Sequence, residues 1–315
     1  MSRTVVRPGS KARSLLSISD LSPREIMGML DRMKSIKPAI QRRDTLSDLR
    51  GKAVGILFEK PSTRTRTSFE VATVRLGGFP VYLAADELQA SRGEPVRDTA
   101  RILGSYLDVI VARVYSHETL REMAAYSGIP VLNGLSDLEH PTQVISDLFT
   151  ICETKGKLQG LTLAFIGDGD NVCNSLLLGA SLVGMDMVAA CPSAFGPNPE
   201  VVKRAEENAR RSGSKIRIVE DPKEAAVDSD VIYTDVWVSM GEEREKARRM
   251  HAFQGFQVNS EILKLASRDA IVMHCLPAHR GLEITNEVIE GKQSVVWRQA
   301  ENKLYGAAVS LDFVS

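Results

Sequence analysis

The sequence predicts an α/β protein of two doubly wound parallel-sheet domains with a cleft between them. Short apolar runs of buried-strand length alternate with helical segments along most of the chain, which implies parallel sheets covered by helices on both faces. The alternation breaks once, where a long helical stretch meets Gly156 and Gly160, and then restarts. A length of 315 residues, 43% hydrophobic and 25% charged, suits a globular chain of about two domains. The expected division is near residue 150, into 1–150 and 151–299. A last helix, about 300–315, is expected to pack back on the first domain.

In chain order, Leu21-Ser22-Pro23-Arg24-Glu25-Ile26 is a helix start. Ser22 can cap, Pro23 fits the first turn, Glu25 completes a capping box, and Leu21 and Ile26 sit at the staple positions. That helix is expected to run to about Ile36, before Pro38. Val54–Phe58, Val81–Ala84, Val109–Val114 and Pro130–Asn133 read as short buried strands, with helices near Ser62–Leu76, Val96–Tyr106 and Glu118–Tyr126 between them. A helix follows over Pro141–Glu153. In the second half, Leu161–Ile166, Met185–Ala190, Ile216–Val219, Val231–Tyr233 and Ala270–Met273 read as strands. The helix from Asn198 to Arg211 is capped by Asn198, opened by Pro199 and closed by Gly213. A final helix is expected near Ala300–Leu311. Trp237–Lys246 reads as a long charged loop of the kind that often forms a lid.

Forty basic residues balance forty acidic ones, so a nucleic-acid or membrane-surface partner has no global electrostatic support. The four cysteines, Cys152, Cys173, Cys191 and Cys275, show neither paired metal spacing nor disulfide density, which suits a reducing cytoplasm. No apolar run is long enough to span a bilayer. The first thirteen residues carry Arg3, Arg7, Lys11 and Arg13 without an acid or the apolar core of a secretory signal, and read as a basic tail.

In open α/β sheets, ligands bind beyond the carboxyl ends of the strands. The first such position is the richest. Phe58-Glu59-Lys60-Pro61-Ser62-Thr63-Arg64-Thr65-Arg66 leaves a strand and enters a helix, placing hydroxyls and two guanidiniums at a helix N-terminus. Free N–H groups and the positive dipole end favour an anion there, and Arg supplies a fork that matches phosphate oxygens. The P-loop pattern is absent, so nothing argues for a nucleoside triphosphate. Arg113 follows the next strand, and His140-Pro141-Thr142-Gln143 follows another. In the second half come Gly167-Asp168-Gly169-Asp170-Asn171, then Asp235, then His274-Cys275-Leu276-Pro277.

One half therefore offers cations, hydroxyls, a His and a Gln; the other offers Asn, Asp, Ser and a thiol. The division suggests an anionic substrate in the first domain and an amine-bearing one in the second, joined across the cleft by proximity. Each residue alone also has a plainer use. His140 could be a helix-start residue satisfied by backbone, Arg113 could pair with a surface acid, Asp235 could be a cap, and Cys275 could be a small core hydrophobe. Gly167-Asp168-Gly169 is reminiscent of a dinucleotide turn, but Val172 stands where the third glycine belongs, so NAD is rejected. A thiol-protease reading of His140, Asp235 and Cys275 has no local signature.

Together these segments resemble the transcarbamoylase family over nearly the whole chain. The pieces are F-E-K-P-S-T-R-T-R (58–66), G-E-P-V-R-D-T-A-R-I-L (93–103), H-P-T-Q (140–143), D-V-W-V-S-M-G (235–241) and H-C-L-P-A-H-R-G (274–281). S-T-R-T-R with H-P-T-Q marks the class, and the S-M-G loop with H-C-L-P points to its ornithine branch, the ornithine carbamoyltransferases. The resemblance implies transfer of a carbamoyl group from carbamoyl phosphate to the side-chain amine of L-ornithine, giving citrulline and phosphate, in arginine synthesis or breakdown. It implies that Ser62, Thr63, Arg64 and Thr65 hold the phosphate. Arg113, His140 and Gln143 engage the carbamoyl group, with Pro141 and Thr142 in the same motif. Gln89 matches a position that reaches a neighbouring subunit's site. Asn171, Asp235, Ser239 and Met240 bind ornithine, the last two on a mobile loop, and Cys275 and Leu276 line the place where amine meets carbamoyl carbon. The family uses no metal and no organic cofactor, and is built on homotrimers or assemblies of trimers. The alternatives are a sister enzyme using putrescine, an acylated ornithine or aspartate, or a silent anion-binding relative.

The residues suit this chemistry. The amine must attack while neutral, and Arg113 and His140 can stabilise the charge that develops on the carbonyl oxygen. Cys275 is expected to orient the amine rather than form a covalent intermediate. One departure is Lys303, in Ala300-Glu301-Asn302-Lys303, where the family usually has Arg. Lys keeps the charge and loses the bidentate fork.

Overall fold

The structure is a computed structural model that describes residues 13–84, 93–238 and 245–315. Most of the basic tail lies outside these residues. Two parallel sheets form the frame. The first has strands β1 (Ala53–Phe58), β2 (Phe79–Ala84), β3 (Val109–Arg113) and β4 (Val131–Leu135), in the order β2-β1-β3-β4. The second has β5 (Thr162–Ile166), β6 (Asp186–Ala190), β7 (Ile216–Val219), β8 (Val231–Thr234) and β9 (Ile271–His274), in the order β7-β6-β5-β8-β9.

The helices are α1 (Pro23–Gln41), α2 (Thr63–Arg75), α3 (Val96–Tyr106), α4 (His117–Tyr126), α5 (Pro141–Lys155), α6 (Asn171–Val183), α7 (Pro199–Ser212), α8 (Pro222–Ala226), α9 (Lys246–Ala252), α10 (Ser260–Leu265), α11 (Asn286–Ile289) and α12 (Val296–Val314). Among the described residues no helix is long and apolar enough to cross a membrane.

Strand side chains alternate between two cores, as a period of two requires. Ile56, Val111, Leu163 and Phe165 enter one buried cluster, which runs without interruption from the first sheet to the second. Ile110 and Ala112 face a smaller cluster under α3 and α4. Ala164 and Ile232 face another, on the far side of the second sheet. The shared cluster is filled by α1, α5, α6 and α12. Helix α5 is buried at every position from Pro141 to Ile151, so it works as a central rod rather than an amphipathic cover.

Several elements differ in extent from the reading of the sequence. Helix α1 runs through Pro38 to Gln41 rather than stopping near Ile36. Pro38 forfeits one backbone bond, but Ile36 and Ile40 are both buried, and each such side chain contributes roughly 1.5–3 kcal/mol. Helix α12 begins at Val296 rather than Ala300, because Val296 and Gln299 are themselves buried. Strand β4 is Val131–Leu135, shifted from Pro130–Asn133, and β2 begins at Phe79. The segment read as a loop, Trp237–Lys246, ends where α9 begins at Lys246; residues 239–244 lie outside the described ones. The capping box of α1 and the Asn198 cap of α7 are present.

Helix α12 packs on α5 and α2 and reaches α1 and β9. The contact with α5 is unusually close. A Cβ on Gly306 would lie 2.0 Å from Ser146 Oγ and 3.1 Å from Ser146 Cβ. Gly306→Ala is therefore expected to destabilise the chain by ~1–3 kcal/mol of overpacking, against which the better helix propensity of Ala offsets about 1 kcal/mol. Ser146→Ala in the same chain is expected to recover more than half of the loss. Thermal unfolding of the single and double variants measures both, and an unchanged Tm for Gly306→Ala would contradict this packing.

Candidate active site

Each sheet changes its winding direction once, between β1 and β3 in the first and between β5 and β8 in the second. Loops leaving neighbouring strands at such a point diverge and open a crevice at the carboxyl ends. The two crevices face one another across a cavity of about 640 Å³. Lys60 to Thr65, Arg113, His140, Gln143 and Lys303 line one side; Asn171, Asp235, Cys275 and Leu276 line the other.

On the cationic side, Ser62 caps α2, its Oγ accepting from Thr65 N–H at 3.3 Å. Arg64 and Arg66 part company there. Arg66 turns away, pairs with Glu70 at 2.9 Å and lies over the Tyr82 ring. Arg64 lines the cavity and pairs with no carboxylate among the described residues. Arg113 ends β3, buried, and its Nε has no hydrogen-bond partner. Burial pulls its pKa down to about 10, with the Arg64 charge adding to that and Cys275 and Asp235 opposing it. A buried guanidinium without a carboxylate is costly, and this rules out the surface-pair reading of Arg113.

His140 occupies the N-cap position of α5 but makes no side-chain cap bond. Its backbone N–H donates to Ser175 Oγ at 2.9 Å, across to α6. Its ring is buried, with Nδ1 unpartnered, and burial with the charges of Lys303 and Arg113 holds its pKa well below the usual range. The ring is neutral, and Lys303 Nζ lies 3.3 Å from Nε2. With Lys303 donating there, the ring proton sits on Nδ1. Lys303 also donates to Gln143 Oε1. Burial lowers the Lys303 pKa to about 8, with Arg113 and Arg64 adding to that and Cys275 and Asp147 opposing it.

On the acidic side, burial raises the Asp235 pKa, and Asp235 accepts from Val236 N–H at 2.7 Å. The Cys275 thiol beside it is pushed well above its ordinary value by burial and by that carboxylate, so it is a neutral thiol, not a nucleophilic thiolate. Asp235, His274 and Cys275 offer ligand atoms within 4.8 Å of one another. Both nitrogens of His274 are engaged, however. Nδ1 accepts from Leu276 N–H at 2.9 Å, and Nε2 therefore carries the proton it gives to Glu283 at 3.1 Å. The trio is thus a hydrogen-bonded wall rather than a metal-ligand set. Leu276 holds φ 60, the left-handed region, a conformation that costs a non-glycine residue of order 1–3 kcal/mol.

Pro141 and Thr142 do not line the cavity; they build the first turn of α5. Gln89, Ser239 and Met240 lie outside the described residues. Gly169 packs against the chain, where an added Cβ would meet Pro197 N at 2.3 Å, which accords with the rejection of a dinucleotide turn. Several lining residues carry no signal that the sequence reading uses, Glu283 and Lys60 among them. Glu283, wholly buried at the cavity wall, lies nine positions after His274, where no local pattern marks it. Lys60 stands inside the quoted motif and was given no role.

Arg64, Arg113 and Lys303 share this cavity, whose lining also includes Lys60 and Lys246, so an oxyanion is expected to stabilise the folded chain. Inorganic phosphate is expected to raise Tm at pH 7.5 relative to chloride of equal ionic strength, and to raise it less at pH 9.5. The sign follows from Lys303. Without anion, the folded chain releases that proton near pH 8 and the unfolded chain near pH ~10.4, so rising pH favours the folded state across this window. Bound phosphate needs the proton and reverses that preference. Equal Tm shifts at both pH values would refute the arrangement.

The chain matches two family models: the carbamoyl-P binding domain of aspartate/ornithine carbamoyltransferase over residues 13–153, and the Asp/Orn binding domain over residues 159–311. It is 53% identical over 293 residues to an ornithine carbamoyltransferase of Archaeoglobus fulgidus, covering 93% of this chain and 94% of that relative. It is 48% identical to one from Caldicellulosiruptor saccharolyticus, covering 96% and 98%. Among solved structures, the ornithine carbamoyltransferase of Pyrococcus furiosus superposes with a TM-score of 0.91 at 46% identity, covering 95% of this chain and 96% of that one. The anabolic enzyme of Campylobacter jejuni gives 0.90 at 43%, covering 96% and 98%. With both halves of the fold and the facing crevices accounted for in this way, the chain belongs to the aspartate/ornithine carbamoyltransferase family.

Proposed function

We propose that this protein transfers the carbamoyl group of carbamoyl phosphate to the side-chain amine of L-ornithine, yielding citrulline and phosphate. The observation that carries the reading is that Arg113 and His140, both buried and each with an unpartnered nitrogen, line one cavity with Asp235 and Cys275. Residues 1–150 with the last helix form the carbamoyl phosphate lobe, and residues 151–299 the ornithine lobe.

Ser62, Thr63, Arg64 and Thr65 receive the phosphate at the N-terminus of α2, where free N–H groups and the dipole favour it. Lys303 adds a second cation, from α12. Arg113 and the neutral His140 direct donors at the carbamoyl oxygen, and Gln143 meets the carbamoyl NH2. Asn171 and Asp235 hold ornithine, with Ser239 and Met240 assigned to it from the motif and Gln89 assigned to a neighbouring copy's site. Cys275 and Leu276 border the reacting carbon.

The neutral amine attacks that carbon, charge collects on the oxygen, and the carbon–oxygen bond to phosphate breaks. The amine loses one proton, for which the departing phosphate is an acceptor. Preorganised donors of this kind are typically worth ~3–4 kcal/mol each at the transition state. The high pKa of Cys275 argues against a carbamoyl-thioester intermediate.

A homotrimer in the cytoplasm is part of the proposal. Self-association draws support from β2, an edge strand with Phe79, Val81 and Tyr82 exposed among the described residues, since an exposed apolar edge invites a partner; the trimer and the compartment rest on the family resemblance. Ornithine is favoured over putrescine by Asp235 and the Ser239-Met240-Gly241 motif.

Steady-state assays are expected to show citrulline formation, with ornithine turned over faster than putrescine; the reverse order would end the ornithine assignment. Arg113→Gln is expected to lower kcat by about 10²–10³-fold. Lys303→Arg is expected to leave kcat/KM within about tenfold, a change of at most about 1.4 kcal/mol in transition-state binding.

A further inference from the structure

Asp147 lies one helical turn after Gln143 on α5, is wholly buried, and does not line the cavity. A buried carboxylate is tolerated only when donors reach it. Oδ1 accepts from Gln143 Nε2 at 2.9 Å and Gln299 Nε2 at 2.8 Å, and Oδ2 from the Tyr233 hydroxyl at 2.9 Å. Burial raises its pKa to about 6 against these donors and Lys303, which leaves it ionised at neutral pH.

This carboxylate decides which end of the Gln143 amide meets the cavity. Gln143 gives Nε2 to Asp147 and accepts Lys303 on Oε1. Turned over, its oxygen would oppose a carboxylate and its NH2 an ammonium, so both neighbours reject the flip. The cavity therefore meets an acceptor. A carbamoyl group has one NH2, a donor, and one carbonyl oxygen, an acceptor. An acceptor at Gln143 selects the NH2 and leaves the oxygen for Arg113 and His140.

Lys303 is faced by His140 and Asp147 from α5, Arg64 from α2, Arg113 from β3 and Cys275 after β9. Asp147 is the carboxylate in that set. Gln299 extends the network by accepting His274 N–H on Oε1 at 2.9 Å, while Tyr233 lies two residues before Asp235.

We propose that Asp147 is a positioning residue for carbamoyl transfer, turning the Gln143 amide oxygen toward the substrate NH2 and supplying the buried negative charge that Lys303 needs. The proposal rests on the carbamoyl phosphate reading above, which the wild-type citrulline assay tests separately.

The experiment compares wild type with Asp147→Leu, Asp147→Asn, Gln143→Ala and the Gln143→Ala/Asp147→Leu double variant. Each substrate is varied in turn, and circular dichroism records folding. Asp147→Leu is expected to raise KM for carbamoyl phosphate at least tenfold and leave KM for ornithine within threefold. At pH 6.5, where Lys303 stays protonated in either background, it should add less than twofold on a Gln143→Ala background. Asp147→Asn keeps an oxygen for Gln143 and is expected to stay within fivefold of wild type. It loses the charge, so its alkaline limb in kcat/KM for carbamoyl phosphate should move at least half a pH unit lower. A folded Asp147→Leu with a wild-type KM, or effects of Asp147→Leu and Gln143→Ala that simply multiply, would overturn the positioning role. Should Asp147→Leu not fold, Asp147→Asn decides: a shifted limb supports the proposal and an unmoved one overturns it.

Discussion

The site depends on the seam between α5 and α12. Gly306 lets the two backbones approach until Ser146 fills the space a side chain would occupy. That approach carries Lys303 to within reach of His140 and Gln143, which start α5, although 160 residues separate Lys303 from Gln143. The chain's last helix thus brings Lys303 beside Arg64 and Arg113, which come from its first half. The seam also packs Gln299 and Asn302 against Asp147 and Thr150, so buried polar groups find partners across it in addition to those that β8 and β9 supply.

The cavity is electrostatically unfinished on one side. Arg113 and Lys303 are buried, their proton affinities lowered by burial, and among the described residues no carboxylate of their own lobe lines the cavity beside them. Folding bears that cost because apolar burial elsewhere is extensive, in one cluster that underlies both sheets. An oxyanion between these groups receives charge-assisted donors already desolvated and aimed, which is the arrangement that favours a transition state over dispersed ground-state charge. Opposite them, burial raises the Asp235 pKa and holds Cys275 as a neutral thiol, so the facing wall carries little charge of its own to set against the cations.

Much of this was legible in the residues. The strand–helix alternation gave both sheets, because each strand is short, apolar and followed by turn chemistry. The site motifs were legible because chemistry at strand ends is local in sequence: Arg64, Arg113, His140, Asp235 and Cys275 each follow a recognisable strand. What was not legible came from tertiary burial. Pro38 reads as a stop, but Ile40 beyond it is needed in the core. Helix α6 is buried on all sides and so shows no amphipathic period, and it was not read as a helix. Glu283 and Asp147 act through partners far away in sequence, so their roles exist only in the fold.

The two sheets rest on a single continuous apolar layer rather than on a flexible linker. A wide hinge rotation between them would pull α5, α6 and α12 apart and expose that layer to water. Relative motion of the two sheets has therefore to slide these packed helices past one another, as shear does, or uncover part of the layer. The two crevices are correspondingly tied together at folding, since the helices that frame one also pack beneath the other.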